Sequence, residues 1–291
     1  MQSELKQALK QFGRGMANLA SAIVLIAAVQ AIARDRVSIF VLEIIGAAIM
    51  VMVYLGGGRW IERRKPPEFT GAGIGKEFAG GIGLGVCLFT VVMVLLWPIG
   101  IYHPTGWGTA AGLGRGAVFA SMAAILEEIM FRGFLFRLIE TVAGTWWALL
   151  ATSALFGAAH ALNPGATVLT SIAIALEAGL LLGVAYAATK RLWFPIGMHA
   201  AWNFSESTVF GMSVSGLGAS KGLIAGTVSG PAILTGGQFG PEASIIAVLV
   251  CFSAAGLILW RMVRRGQVQP PSWRRNPARA ELAVEPGTDG D

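Results

Sequence analysis

The sequence predicts an all-α fold, a polytopic transmembrane helix bundle of about eight spans with both termini in the cytoplasm. Three observations support this prediction: the apolar composition, the number of long apolar stretches, and the distribution of basic residues among the loops. Of the 291 residues, 55% are hydrophobic and 13% are charged, and the mean hydropathy is +0.66. Soluble globular domains rarely have such values. We therefore expect an integral membrane protein whose main surroundings are the lipid bilayer.

The composition also excludes several other classes of protein. The two cysteines, Cys87 and Cys251, lie within apolar runs, and the chain has three histidines, so neither a disulfide framework nor a cysteine zinc site is expected. The formal net charge of +6 comes from basic residues beside apolar runs, not from one amphipathic face. We therefore expect no nucleic-acid partner.

Eight apolar stretches are candidates for crossing the hydrocarbon core, which needs about 20 residues of helix. They are 17–33, 37–57, 78–102, 115–138, 146–161, 166–189, 193–211 and 243–262. The first follows several basic residues as in a signal peptide. No convincing cleavage site follows it, so a retained span, partly preceded by an amphipathic segment, is expected. The fifth stretch is short, and the seventh contains charged and polar residues.

The basic residues between these stretches predict the orientation. With the N-terminus inside, most of them fall in inside loops, as the positive-inside rule requires. The inside set is Arg59, Arg63, Arg64, Lys65, Lys76, Arg137, Lys190, Arg191, Arg261, Arg264 and Arg265, and the outside set is Arg34, Arg36, Arg115 and Lys221. We expect the bacterial cytoplasmic (inner) membrane as the location.

Three regions follow from this pattern. Residues 1–114 hold the three N-terminal spans, and residues 115–262 hold the helices that carry the polar motifs described below. The tail, 263–291, is rich in proline, charge and small polar residues and lacks periodicity, so we expect it to be disordered in the cytoplasm.

The fourth stretch contains two adjacent carboxylates and an arginine. Glu128 and Arg132 lie four positions apart, which places them on one helix face and suits an ion pair. Glu127 points about 100° away and is left to face a cavity. A partly desolvated carboxylate without a cationic partner suits a general base. The alternative is a purely structural charge cluster.

Two further stretches carry histidines. His160 ends the fifth stretch after small residues that allow close helix contact, although a lone histidine at a helix end is often interfacial. In the seventh stretch, His199 and Asn203 share a face that Glu206 continues. Both are hydrogen-bond donors suited to an oxyanion, or they form an interhelical hydrogen-bonded pair. Glu177 is a buried carboxylate to which no partner can be assigned.

Together these groups predict one site. Each of these polar groups is costly in free energy when it is buried alone in a bilayer. Burying them together around one cavity would give all of them polar partners. No serine or cysteine nucleophile stands among them, which indicates hydrolysis by activated water and no acyl-enzyme.

The motifs resemble those of the CAAX protease and bacteriocin-processing (CPBP) family of membrane peptidases, also called the Abi or type II CAAX prenyl endopeptidase family. The resemblance covers about residues 115–262. It consists of Glu-Glu-x-x-x-Arg at Glu127, Glu128 and Arg132, Phe-x-x-x-His at Phe156 and His160, and His-x-x-x-Asn at His199 and Asn203. Gly179–Gly183, Leu192–Pro195 and the loop Gly236–Glu242 extend it.

The resemblance implies an intramembrane endopeptidase acting on membrane-associated, including membrane-tethered, peptides or proteins. It implies that Glu127 and His160 activate water and that His199 and Asn203 bind the oxyanion, with Glu128 and Arg132 supporting them. Family members are usually called metalloproteases, and Glu127, His160 and His199 could ligate zinc; a metal-free glutamate mechanism is the alternative.

Two other classes of function are consistent with the same residues. A non-catalytic membrane scaffold or a bacteriocin-immunity protein could use this fold to hold a peptide. A proton-coupled transporter could use carboxylates and histidines as a relay, but the sequence shows no inverted repeat or paired broken helices.

Overall fold

The structure is a computed structural model of the chain, and it describes residues 2–33 and 35–274. Helix accounts for 72% of it, which confirms the predicted all-α class. The helices are α1 (Gln2–Ala33), α2 (Ile39–Trp60), α3 (Ile74–Leu96), α4 (Leu113–Glu128), α5 (Arg137–Ala143), α6 (Thr145–His160), α7 (Val168–Ile174), α8 (Leu180–Thr189), α9 (Trp193–Phe204), α10 (Ala232–Thr235) and α11 (Ile245–Arg264). Two short strands, β1 (Tyr102–Trp107) and β2 (Ile224–Val228), pair antiparallel; the sequence did not predict them.

Three helices continue into π-helical segments. These are Ile129–Phe136 between α4 and α5, Ala175–Gly179 between α7 and α8, and Ser205–Val209 after α9. A π turn inserts an extra residue into the helix and so rotates the side chains that follow it; such turns frequently occur at functional sites. Each segment adjoins or contains polar residues of the predicted site.

Five helices are long and apolar enough to cross a membrane. They are Glu4–Ala33, Ile39–Trp60, Ile74–Leu96, Val168–Thr189 and Ile245–Arg264. The other three predicted stretches are helical as well, but α6 has 16 residues, and α4 and α9 lead into π segments that carry charge. The count of eight spans and the location of the termini therefore stay predictions.

Glycines bring the backbones of α3 and α9 together. A Cβ atom at Gly81 would collide with the carbonyl oxygen of Phe194, and one at Gly85 would collide with the carbonyl oxygen of Met198. Small residues at a helix interface allow this close approach. The contact fixes the position of α9, the helix that carries His199 one residue after Met198.

A buried ion-pair network joins α1 and α5 to the segment after α2. Glu62 accepts hydrogen bonds from Asn18 Nδ2 at 3.0 Å, Arg64 Nε at 3.0 Å and Arg137 Nη2 at 2.7 Å. Arg64 also binds Glu68, at 3.0 Å. Burial alone would raise the pKa of Glu62, but Arg137, Asn18 and Arg64 outweigh it and hold the pKa below its ordinary value.

The chain after α11 packs against the turn between α5 and α6, where the sequence predicted a disordered tail from residue 263. Thr145 N donates to Gln269 O at 3.0 Å, and Gln269 N donates to Thr145 Oγ1 at 2.9 Å. Ser272 is buried. The chain is therefore packed against the bundle as far as Ser272, and the domain boundary at residue 263 stays a prediction. The rest of the predicted tail, 275–291, lies outside the described residues.

Candidate active site

The four side chains predicted to be catalytic line one cavity. Its volume is about 420 Å³, and Glu127, His160, His199 and Asn203 are all in its wall. They come from α4, α6 and α9, so the cavity depends on the packing of three helices that are separate in sequence. The remaining lining is mainly apolar, which limits the water that reaches these groups.

Glu127 is the central side chain of the site. Its Oε2 atom lies 4.0 Å from His160 Nε2 and 4.0 Å from His199 Nε2. This oxygen is buried and has no hydrogen-bond partner among the described residues, while the side chain as a whole is 26% exposed. A buried carboxylate oxygen without a partner is costly, so the site holds a place for a group that can donate a proton to it.

The tautomer of His160 follows from its contact with the main chain. His160 Nδ1 lies 2.8 Å from the carbonyl oxygen of Phe156, one helical turn earlier. A carbonyl oxygen can only accept, so Nδ1 must carry the proton. The ring also packs on the Phe156 ring, at 4.6 Å between centroids. In the neutral imidazole, Nε2 is left as an acceptor that faces Glu127.

His199 is oriented by the second carboxylate. Its Nδ1 lies 2.9 Å from Glu128 Oε1, and the same oxygen accepts from Arg132 Nη1 at 2.8 Å. The carboxylate requires a proton on Nδ1. Glu128 therefore links the guanidinium to the imidazole, and His199 presents Nε2 to the cavity.

Arg132 connects this pair to a second helix. The Glu128–Arg132 ion pair has the spacing that the sequence predicted, and both side chains are almost completely buried, at 0% and 1% exposure. Arg132 Nη2 donates to the carbonyl oxygens of Ala178 and Gly179, each at 3.1 Å. These carbonyls lie at the end of the π segment Ala175–Gly179, where the helical hydrogen bonding is irregular.

Asn203 lies one turn after His199 and lines the same cavity. None of the hydrogen bonds within residues 35–274 uses its side-chain amide. The amide is thus available to a bound molecule. The sequence predicted Glu206 on the same helix face as His199 and Asn203, but Glu206 does not line this cavity. The π segment that begins at Ser205 interrupts the regular period of 3.6 residues per turn.

The donor set of Glu127, His160 and His199 has the chemistry of a zinc site, because an oxygen acceptor fixes the Nδ1 proton of each histidine and leaves Nε2 toward Glu127. The spacing is wider than that of a bound metal. Ligands about 2.0–2.1 Å from zinc in a tetrahedron lie roughly 3.3 Å apart, whereas both separations from Glu127 Oε2 are 4.0 Å. In the part of the chain that the structure describes, no three His, Cys, Asp or Glu side chains have metal-site spacing.

Comparison with known families locates these residues in one domain. The family model described as type II CAAX prenyl endopeptidase Rce1-like matches residues 109–205. This segment is an Rce1-like domain. The predicted resemblance to the CPBP family is thereby confirmed. No curated protein and no solved structure matched the chain.

The Rce1-like domain contains every side chain that the sequence assigned to the site. They are Glu127, Glu128, Arg132, His160, His199 and Asn203. The domain does not include the three N-terminal spans or the chain after residue 205, although the sequence motifs suggested a resemblance as far as residue 262. The division of the chain into 1–114 and 115–262 stays a prediction.

Sequence reasoning missed the role of the loop after the Rce1-like domain. Glu242 lines a narrow cavity of about 30 Å³ together with Glu177, His160 and His199. Its carboxylate accepts from the backbone N and the Oγ of Ser215. The loop Gly236–Glu242, which extends the family resemblance in the sequence, was the available signal.

The two carboxylates left unassigned have partners on other elements. Glu206 accepts from the backbone N of Glu242 at 3.2 Å, and Cys251 Sγ lies 3.9 Å from Glu177 Oε1. These contacts link the π segments to the end of the Gly236–Glu242 loop and to α11. Neither Glu177 nor Glu206 lines the main cavity.

Proposed function

We propose that the protein is a membrane-embedded endopeptidase of the CAAX-protease type, which hydrolyses peptide bonds of membrane-associated substrates with water activated by Glu127 and His160. One observation carries the proposal: the buried, unpartnered Glu127 Oε2 faces two histidine Nε2 atoms at 4.0 Å each. A single water molecule can bridge groups at that separation. The family of the Rce1-like domain supports a peptide as the substrate.

The first step is attack of water on the peptide carbonyl. Glu127 Oε2 accepts one proton of the water, and His160 Nε2 accepts a hydrogen bond from the other, so the oxygen lone pair is directed at the carbonyl carbon. The oxygen forms a bond to that carbon, and the carbonyl π electrons move to the oxygen. Glu127 then returns the proton to the amide nitrogen, and the C–N bond breaks.

The second requirement is stabilisation of the oxyanion. His199, with Nδ1 bound to the Glu128 carboxylate, can carry a second proton on Nε2 and donate it toward the cavity. The amide of Asn203 supplies the other donor. Preorganised donors of this kind lower the barrier most where water is scarce. Glu128 and Arg132 act through His199, as positioning residues.

Zinc is a separate part of the proposal. Glu127, His160 and His199 would hold the ion after moving closer together, and zinc so held acidifies water and polarises carbonyls. The protein's own contribution is the same in both cases, because Phe156 O and Glu128 fix the two Nδ1 protons. Activity and zinc content measured together after chelation distinguish the cases. Full turnover at far below one zinc per chain would exclude a required metal.

Cleavage of a peptide panel tests the proposal. The protein, purified into lipid nanodiscs, is incubated with membrane-tethered peptides, prenylated and unprenylated, and the products are read by mass spectrometry. We expect endoproteolytic products, and we expect His160→Ala to reduce their rate by about a hundredfold or more, the contribution of a positioned base. Glu77→Gln, a carboxylate change at the start of α3, serves as the control and should retain cleavage.

A second readout tests the nature of the nucleophile. Hydroxylamine added during turnover traps acyl-enzymes as hydroxamates, whereas direct attack by water leaves only carboxylic acid products. We expect no hydroxamate. Hydroxamate formation would contradict direct water attack. Turnover that persists in His160→Ala would contradict the assignment of Glu127 and His160 as the groups that activate water.

A further inference from the structure

A second cavity adjoins the catalytic one on the side of the N-terminal helices. It has a volume of about 400 Å³, and we call it the side chamber. Residues of α1 and α2 form its outer wall, including Ile23, Ile26, Gln30, Glu43 and Met50. Both cavities share Phe119, Ala123, Leu126, Glu127, Met130 and Leu217 as lining residues. A chain bound in the catalytic cavity can therefore place a side chain in the chamber beside Glu127.

Close packing of three helices holds Glu43 in the chamber wall. One turn after it on α2, Gly46 is within reach of both neighbours: a Cβ there would lie 3.5 Å from Leu126 Cδ1 and 3.8 Å from Ile26 Cγ2. Leu126 immediately precedes Glu127. Glu43 and Glu127 consequently line the same chamber, although the two residues are 84 positions apart in the sequence.

The chamber has negative charge and no positive charge of its own. Both of its ionisable lining residues are carboxylates, Glu43 and Glu127, and no described residue that lines it is basic. No hydrogen bond or ion pair within the described ranges uses the Glu43 carboxylate. Arg115 of α4 lies 5.6 Å from the centre of the Phe40 ring and does not line the chamber. A carboxylate within a transmembrane helix is expensive without a partner.

We propose that the side chamber is the subsite for a lysine or arginine side chain of the substrate, with Glu43 as the residue that determines this specificity. The inference rests on the proposed function, because it takes the occupant of the catalytic cavity to be a peptide. The apolar wall, with Ile23, Ile26 and Met50, suits the methylene stem of a basic residue, whose charged end then reaches Glu43. The volume lies within the usual range of ligand pockets, about 300–1,000 Å³.

In this arrangement, the residue that selects the substrate and the residue that activates water belong to different parts of the chain. Glu43 stands on α2, outside the Rce1-like domain at 109–205, whereas Glu127 stands inside it. The N-terminal helices would thus choose the peptide, and the domain would cut it. A basic side chain in the chamber also fixes which peptide bond reaches Glu127, because the two cavities meet at that residue.

Binding of uncleavable peptides tests the subsite without requiring catalysis. A membrane-tethered peptide with N-methylated bonds is made in versions that carry lysine at one position or glutamine at the same position, scanned along the chain. Affinities are measured for the nanodisc-embedded wild type, Glu43→Gln and the control Glu77→Gln. At one position we expect lysine to bind at least about tenfold more tightly than glutamine, the value of a charge-assisted hydrogen bond. Glu77→Gln should keep this ratio, and Glu43→Gln should bring it close to one.

A lysine preference absent at every position, or one that survives Glu43→Gln, would overturn the subsite. Cleavable versions of the same peptides, run in parallel, report on the proposed function separately. Selective binding without cleavage would keep the subsite and contradict the endopeptidase, while cleavage without selectivity would do the reverse.

Discussion

Arg132 is the residue on which the geometry of the site depends most. It is an almost completely buried cation whose donors reach Glu128 and the carbonyls of Ala178 and Gly179. The sequence predicted the pair with Glu128 from their spacing of four residues. It could not predict the bond from Glu128 to His199, because that contact crosses 71 positions of sequence and depends on tertiary packing.

Removing Arg132 should therefore destabilise the protein. Arg132→Ala leaves Glu128 buried without its cation, and breaking a buried ion pair in this way typically costs about 3–5 kcal/mol. We expect a large fall in the thermal unfolding temperature in detergent. Arg115→Ala, which removes an exposed arginine near the start of α4, should change it little. An unaltered unfolding temperature for Arg132→Ala would show that Arg132 does not hold the site together.

Substitutions of Asn203 test its assignment as a hydrogen-bond donor to the oxyanion. Asn203→Ala removes one donor from the cavity, and the loss of one such donor usually reduces kcat by about 10²–10³-fold. Because the donor acts mainly on the transition state, KM should change far less than kcat. Asn203→Asp, which replaces the donor by an acceptor of similar size, should be at least as impaired. Steady-state kinetics with similar kcat for wild type and Asn203→Ala would exclude the role.

At the scale of the helices, packing and π segments determine which side chains reach the site. Hydropathy located the helices that carry the motifs, since each is mostly apolar. It could not reveal the π segments, because a π turn depends on packing and not on apolar periodicity. The prediction that Glu206 continues the helix face of His199 and Asn203 was wrong for this reason. Glu206 follows the start of a π turn and accepts a hydrogen bond from the backbone of Glu242.

Two glycines of α3 provide a matched test of helix packing. Gly85→Ala places a Cβ against the carbonyl oxygen of Met198, whereas the space around Gly83 is open. We expect Gly85→Ala to destabilise by about 1–3 kcal/mol, the usual cost of overpacking, and to slow cleavage because α9 carries His199. Gly83→Ala should be neutral or slightly stabilising, since alanine favours helix. Equal unfolding temperatures for the two variants would contradict the contact between α3 and α9.

At the scale of the whole molecule, the N-terminal helices pack beside the Rce1-like domain and contribute to the cavities around it. α1 and α2 line the side chamber, and α1 joins the ion-pair network through Asn18. Arg64 and Arg137 served as topology signals in the sequence, but both are bound to Glu62 in the structure. Charge counting could not detect this pairing, because it treats each basic residue as a free loop charge.

The network predicts how stability depends on pH. The folded pKa of Glu62 lies below its ordinary value of 4.5, so the folded state gains stability from ionised Glu62 above that value and loses it as the pH falls through the lowered pKa. The unfolding temperatures of wild type and Glu62→Gln should differ most near about pH 7 and converge in acid. A difference that grew on acidification would contradict the assigned direction.

Cleavage by Glu127→Gln is the most direct test of the account, because both histidines face Glu127 and both cavities are lined by it. The substitution keeps the shape of the side chain and removes the base. With the unfolding temperature unchanged, the account predicts that the rate on the best peptide falls by at least about a hundredfold. A folded Glu127→Gln protein that cleaves within about tenfold of wild type would contradict the role of Glu127, and with it the proposed mechanism.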